Sequence, residues 1–116
     1  MKLSDIIDEL GLAVEVEDCC LDCEVRGCYL SDILSDVMAN SGEGYLWVTI
    51  HIHPNITAVA QFKALAGVVV VNGRNPQPET LKKAEEHKIP IFTTDLSSYE
   101  IAGRLYAAGL RCKSEC

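Results

Sequence analysis

Four valines in a row, Val68 to Val71, stand between Gly67 and the turn-forming pair Asn72-Gly73. A β-branched run without a polar interruption offers no face to water. It therefore predicts a strand covered on both sides, the condition of a central parallel strand in a sheet flanked by helices. The neighbouring segments agree. Tyr45 to Ile52 is aromatic and β-branched between a glycine-rich turn and Pro54. It reads as a strand with Leu46, Val48, Ile50 and Ile52 on a purely apolar face and Tyr45, Trp47, Thr49 and His51 on the other. Ile91 to Thr94, opened by Pro90, reads as a third strand.

Helical spacing fills the intervals. Asn55 is placed to cap a helix carrying Ile56, Val59, Ala60, Phe62, Lys63 and Leu65, with Gly67 as its stop; Pro78 opens a helix through Leu81, Ala84 and Glu85 toward Lys88. Ser97 caps a last helix carrying Tyr99, Ile101, Ala102, Leu105 and Tyr106. Upstream, Ser4 caps a short helix ending at Gly11, and Leu12, Val14 and Val16 alternate with Ala13, Glu15 and Glu17 as a strand. Asp18 to Gly27 reads as a cysteine-rich acidic loop, Cys28 to Leu30 as a short strand, and Ser31 as the cap of a helix through Asn40 with Ile33, Leu34, Val37 and Met38 inward. Strands alternating with helices through short loops predict a three-layer α/β/α domain with a mainly parallel sheet. The strand order is not fixed by the sequence.

A chain of 116 residues has interior for one core, so residues 1–116 are expected to form one domain with a flexible tail at 110–116. The formal charge of -7 opposes binding to a nucleic-acid phosphate backbone or to an anionic membrane surface. No apolar stretch has signal-peptide or membrane-span character, which predicts a cytoplasmic protein and removes meaning from the glycosylation pattern Asn55-Ile56-Thr57.

In parallel sheets, ligands lie beyond the carboxyl ends of the strands. Those ends carry His51, His53 and Asn55; Asn72, Gly73 and Arg74; and Thr93, Thr94 and Asp95. Helix N-termini with a bidentate Arg74 suit an anion, Gly73 permitting close backbone approach. The alternative is that Asn55 is a helix cap and Asn72-Gly73 a turn. His51 and His53, two apart, share a side of an extended backbone and suit a metal with Asp95 as a further ligand, or else packing and hydrogen bonding. Asp32 reads as a complement to the helix dipole after Ser31, and Asp36 as a solvated residue. Cys19, Cys20, Cys23 and Cys28 cluster while Cys112 and Cys116 lie in the tail. They suit zinc, an iron-sulfur cluster, a redox switch or plain reduced thiols; their spacing matches no established metal pattern.

The segment Gly27-Cys28-Tyr29-Leu30-Ser31-Asp32-Ile33-Leu34-Ser35-Asp36-Val37-Met38-Ala39-Asn40 resembles the stand-alone proteins of the DRTGG family, whose pattern there is close to GGYxSDLLSDVMAN. Trp47 to Asn55, Val69 to Gly73, and Pro90 to Thr94 with Gly103-Arg104-Leu105-Tyr106 resemble the same proteins, so the resemblance runs from Leu3 to Gly109. It implies a fold like the N-terminal domain of HPr kinase/phosphatase and the middle domain of long phosphotransacetylases, a regulatory role, homodimers, and a partner from redox or hydrogenase systems. The family's Asp-Arg and Thr-Gly-Gly positions are occupied by His53-Pro54-Asn55 and Asn72-Gly73-Arg74, and Cys28 replaces a family glycine. The phosphate loop GxxxxGK[ST] that phosphoryl transfer on that scaffold requires is absent from the sequence. The expectation is a non-catalytic regulatory module binding a small anionic or nucleotide-like ligand or a protein partner, with no cofactor specified. The alternatives are an assembly or dimerisation domain without ligand, and a cysteine-based metal or redox protein.

Overall fold

The computed structural model describes residues 1–17 and 19–112. The elements, in chain order, are α1 (Leu3–Leu10), β1 (Ala13–Val14), β2 (Gly27–Leu30), α2 (Leu34–Asn40), β3 (Tyr45–Thr49), α3 (Asn55–Phe62), β4 (Gly67–Val70), α4 (Pro78–His87), β5 (Ile91–Thr93) and α5 (Ser98–Ala107). They form one five-stranded sheet in the order β1-β5-β4-β3-β2. The strands β2 to β5 are parallel, and β1 pairs antiparallel with β5.

The topology follows from crossover handedness. Each of β3, β4 and β5 lies beside its predecessor, so right-handed crossovers must place α2, α3 and α4 on one face. The cores agree with this. Val37, Ile56, Val59, Ala60 and Ala84 pack with Trp47, Val68, Val70 and Ile91 on that side, while Leu3, Ile6, Leu10, Ile101 and Leu105 pack with Leu46, Val48, Val69 and Phe92 on the other. The sheet is thus sandwiched between α2–α4 and the pair α1 and α5, a three-layer α/β/α arrangement. Every residue of β4 is buried, as its run of valines requires.

Several local expectations are corrected. The face of β3 that carries Trp47 and Thr49 is as fully buried as the purely apolar one, because α2 to α4 cover it. The strand also stops at Thr49 rather than at Ile52. Ser4 lies inside α1, whose N-cap is Lys2, with the Asp5 carboxylate accepting the Lys2 N–H. The alternating segment 12–17 buries Leu12 and Val16 but leaves Val14 exposed, and only Ala13 and Val14 pair as strand. Helix α2 begins at Leu34, with Ser31 Oγ accepting the Ile33 N–H ahead of it and Ile33 turned outward. Asn55 is the first residue of α3 rather than its cap, which is Pro54. Ser97 does cap α5, its Oγ accepting the Glu100 N–H.

Leu110 and Arg111, assigned to the tail in sequence, are docked. Leu110 is buried, and the Arg111 carbonyl accepts the Cys28 N–H at the β2 edge. Asp18 and residues 113–116, Cys116 among them, lie outside the described residues. Among the described residues, no helix is long and apolar enough to cross a membrane.

Candidate functional site

The connection after β4 enters α4 on one face of the sheet, and the connection after β5 enters α5 on the other. Adjacent parallel strands whose outgoing loops part in this way leave a crevice at their carboxyl ends. A concavity of about 330 Å³ occupies this place, lined by Gly73, Arg74 and Asn75 after β4 and by Thr93, Thr94, Asp95 and Leu96 at the end of β5. Its remaining wall is Leu10, Gly11 and Ala13, brought in because β1 pairs with β5.

The turn after β4 is built to a fixed shape. Asn72 and Gly73 are both left-handed, with φ of 66° and 69°, and the Arg74 N–H reaches the Val71 carbonyl at 3.3 Å, the pattern of a type I′ turn. The Asn72 and Gly73 N–H groups donate to the Leu96 and Thr94 carbonyls at 2.8 and 3.0 Å, tying the two loops together. Those N–H groups are occupied, so Gly73 serves the turn conformation rather than cradling an anion through its backbone. The ionic side chains are different: neither the Arg74 guanidinium nor the Asp95 carboxylate has a hydrogen bond or ion pair among the described residues. The Thr93 hydroxyl donates to Glu15 at 2.7 Å, and Thr94 Oγ1 accepts the Leu96 N–H, leaving the Thr94 hydroxyl proton free to donate.

His51 and His53 line a second concavity of about 340 Å³ with Asp32, Ile50, Ile52 and Arg74. Arg74 is common to both hollows. His51 Nε2 donates to the Asp32 carbonyl, and His53 Nδ1 accepts the Asn55 N–H at 3.0 Å, so each ring is tied to nearby backbone through one nitrogen. The N-terminus of α3 is thereby covered by His53. Asp32 is not a helix-dipole group: its Oδ1 accepts from the Thr49 hydroxyl at 2.8 Å and the Ile50 N–H at 2.9 Å. Asp36, expected to be merely solvated, accepts from the Tyr29 hydroxyl at 2.8 Å and the Asn40 amide at 2.9 Å. Hydrogen bonding from Ser31 first, and from Tyr29 and Asn40, holds its carboxyl below the usual range, and the same Tyr29–Asp36 bond pushes the Tyr29 phenol up.

Of the nine residues picked from sequence, Gly73, Arg74, Thr93, Thr94 and Asp95 meet in the β4/β5 crevice, while His51 and His53 join Arg74 next door. Asn55 and Asn72 line neither hollow. Leu10, Gly11 and Ala13 were missed, and no local signal could have found them, since only the pairing of β1 with β5 brings them there.

The described cysteines neighbour one another locally, Cys20 by Cys23 and Cys112 by Cys28. Among the described residues, no three His, Cys, Asp or Glu side chains gather as a metal site. Cys23 Sγ lies 3.8 Å from the Cys20 carbonyl, while Cys28 sits across the sheet edge from the Arg111-Cys112 segment. Burial, with Cys112 nearby, pushes the Cys28 thiol up to about 11. Burial and the neighbouring Cys20 also raise Cys23.

No family model and no curated protein matches the chain. Among solved structures it superposes on the CBS and DRTGG domains of the regulatory region of Clostridium perfringens pyrophosphatase, a structure complexed with the activator diadenosine tetraphosphate. The TM-score is 0.68 at 18% sequence identity, over 96% of this chain and 48% of that one. The chain thus spans about half the length of that structure, and the likeness establishes a DRTGG-like α/β fold.

Proposed function

We propose that the chain is a regulatory, non-catalytic module of the cytoplasm whose β4/β5 crevice takes a small anionic, nucleotide-like ligand. The observation that carries this reading is Arg74, a guanidinium without a partner among the described residues and shared by two adjoining hollows at the carboxyl rim. A guanidinium so placed offers a bidentate donor to a phosphate or carboxylate. Asp95, unpaired on the facing loop, accepts from a ribose hydroxyl or an amine, and the Thr94 hydroxyl adds a donor. The pyrophosphatase regulatory region, which shares the fold, is complexed with a nucleotide activator, and this supports the ligand class.

One observation favours a second reading, an assembly domain without ligand. The turn N–H groups that commonly hold a phosphate are bonded to Thr94 and Leu96 carbonyls, so recognition rests on side chains alone. Titration calorimetry of the full chain against nucleotides and phosphorylated metabolites separates the two. Binding that falls tenfold or more in Arg74→Gln is the expected result. No heat and no thermal shift with any anion, in protein that is folded by circular dichroism, removes the ligand reading and leaves the assembly one.

A further inference from the structure

The segment after α5 is fastened to the open edge of β2 by several independent contacts. Leu110 is buried in the core on the α1 and α5 side of the sheet. The Arg111 guanidinium donates to the Tyr106 and Leu110 carbonyls and lies 3.6 Å from the Tyr106 ring centroid. The Arg111 carbonyl accepts the Cys28 N–H at 3.0 Å. Gly27 makes this approach possible, since a Cβ there would stand 2.7 Å from the Arg111 carbonyl oxygen. A main-chain bond of this kind holds two backbones about 5 Å apart, within the Cα separation that a disulfide spans. The residue that follows Arg111 is Cys112.

Both cysteines are free thiols, Cys28 half-buried and Cys112 exposed. Cys28 packs against the same core that holds Leu110, so its thiol lies on the side of the sheet along which the segment runs. Cys112 stands near enough to act on the Cys28 thiol and on the hydroxyl of Tyr29, the next residue of β2. We infer that Cys28 and Cys112 are a reactive pair that exchanges with small-molecule disulfides, closing a bridge that locks the C-terminal segment onto the β2 edge. Cys112, in the open, attacks first: its thiolate bonds to one sulfur of the small disulfide and expels the other half as a thiolate. The Cys28 thiolate then attacks Cys112 Sγ and expels the second half. Two electrons pass from the protein to the small disulfide, and the two protein thiol protons end on the two thiols released. Burial disfavours the Cys28 thiolate, so the reduced pair gains no stability from ionising and the bridge, once closed, is a weak oxidant. Cys20 and Cys23 also neighbour one another, but a bridge there ties together only adjacent turns of one loop. The inference does not depend on whether the crevice holds a ligand.

The full chain, equilibrated with mixtures of reduced glutathione and glutathione disulfide and then alkylated under denaturing conditions, tests it by peptide mass mapping. The expected product is a linked Cys28–Cys112 peptide pair that dithiothreitol reverses. Because the bridge closes a ring over most of the chain, it should raise Tm by about 10 °C or more over the reduced protein. Cys28→Ser should trap a glutathionyl group on Cys112, and Cys112→Ser should leave Cys28 unmodified; circular dichroism confirms that both variants are folded. Decay of the mixed disulfide in the unsubstituted chain should accelerate about tenfold per pH unit above neutrality, because the attacking Cys28 thiol is pushed up to about 11. Oxidation confined to Cys20 and Cys23, a glutathionyl group that stays on Cys112 unresolved, or a bridged form no more heat-resistant than the reduced one overturns the proposal.

Discussion

Where β2 and β3 end, polar side chains bond to one another and to the backbone; where β4 and β5 end, the charged ones, Arg74 and Asp95, bond to nothing among the described residues. The residue types at the two places are similar, a carboxylate, threonines and a cationic or imidazole group. The difference arises from the connections. The chain leaving β2 and the chain leaving β3 turn to the same face, so their first residues run side by side and Asp32 reaches Thr49 and Ile50. The chains leaving β4 and β5 part to opposite faces, so Arg74 and Asp95 project over a gap while only their backbones are tied. Strand-end residues of the same types are therefore structural or available according to which face the next helix takes.

The largest expected effect is on the closed side. Trp47 is fully buried under α2 and α3, and its indole N–H donates to the Ser31 carbonyl at 2.8 Å, holding the loop that carries Asp32. Trp47→Ala removes the ring and the tether and should destabilise the fold by about 3–5 kcal/mol, a large share of the stability of a domain this size. Urea denaturation measures it; a loss under about 1 kcal/mol would show that the loop needs no such anchor. Asp32→Ala, next in size, leaves the Thr49 hydroxyl and Ile50 N–H without their acceptor. It should cost about 2 kcal/mol, with Asp32→Asn recovering part of this because an amide oxygen still accepts.

Much of the frame was legible because its signals are local. The valine run specified a strand covered twice, Pro78 and Ser97 marked the starts of α4 and α5, and period 2 against period 3.6 separated strands from helices. What failed has a common cause. Ile33 was placed on the inward stripe of its helix, yet it is exposed, since apolar character reports what a side chain tolerates rather than where neighbours stand. Asp32 and Asp36 looked like a helix-start charge and a surface charge, but their partners Thr49 and Tyr29 come from strands. The site was half legible: the rule of carboxyl ends found Arg74 and Asp95, while the crevice's third wall depended on an antiparallel pairing far apart in sequence.

On the open side, Gly73 separates conformation from chemistry. With φ at 69° it occupies a region where a Cβ is strained, and a Cβ there would stand 3.4 Å from Asp95 Oδ1. Gly73→Ala should cost about 1 kcal/mol. That contact is of ordinary van der Waals length and leaves Asp95 in place, so a calorimetric titration for the proposed ligand alongside the denaturation curve tells a strained turn from a damaged crevice.

Arg74→Ala should have the smallest effect on stability and the sharpest meaning. If the guanidinium has no partner in the folded chain, its removal leaves nothing buried and unsatisfied, and the denaturation midpoint should move by no more than the equivalent of about 0.5 kcal/mol. The same change takes away the one cation that both rim hollows share, so whatever anion binds there must weaken. A residue that contributes to folding cannot show that pattern, and neither can a surface arginine without a role. Loss of 2 kcal/mol or more on Arg74→Ala would mean that this rim too is held by its own side chains, and the contrast between the two ends of the sheet would then have no basis.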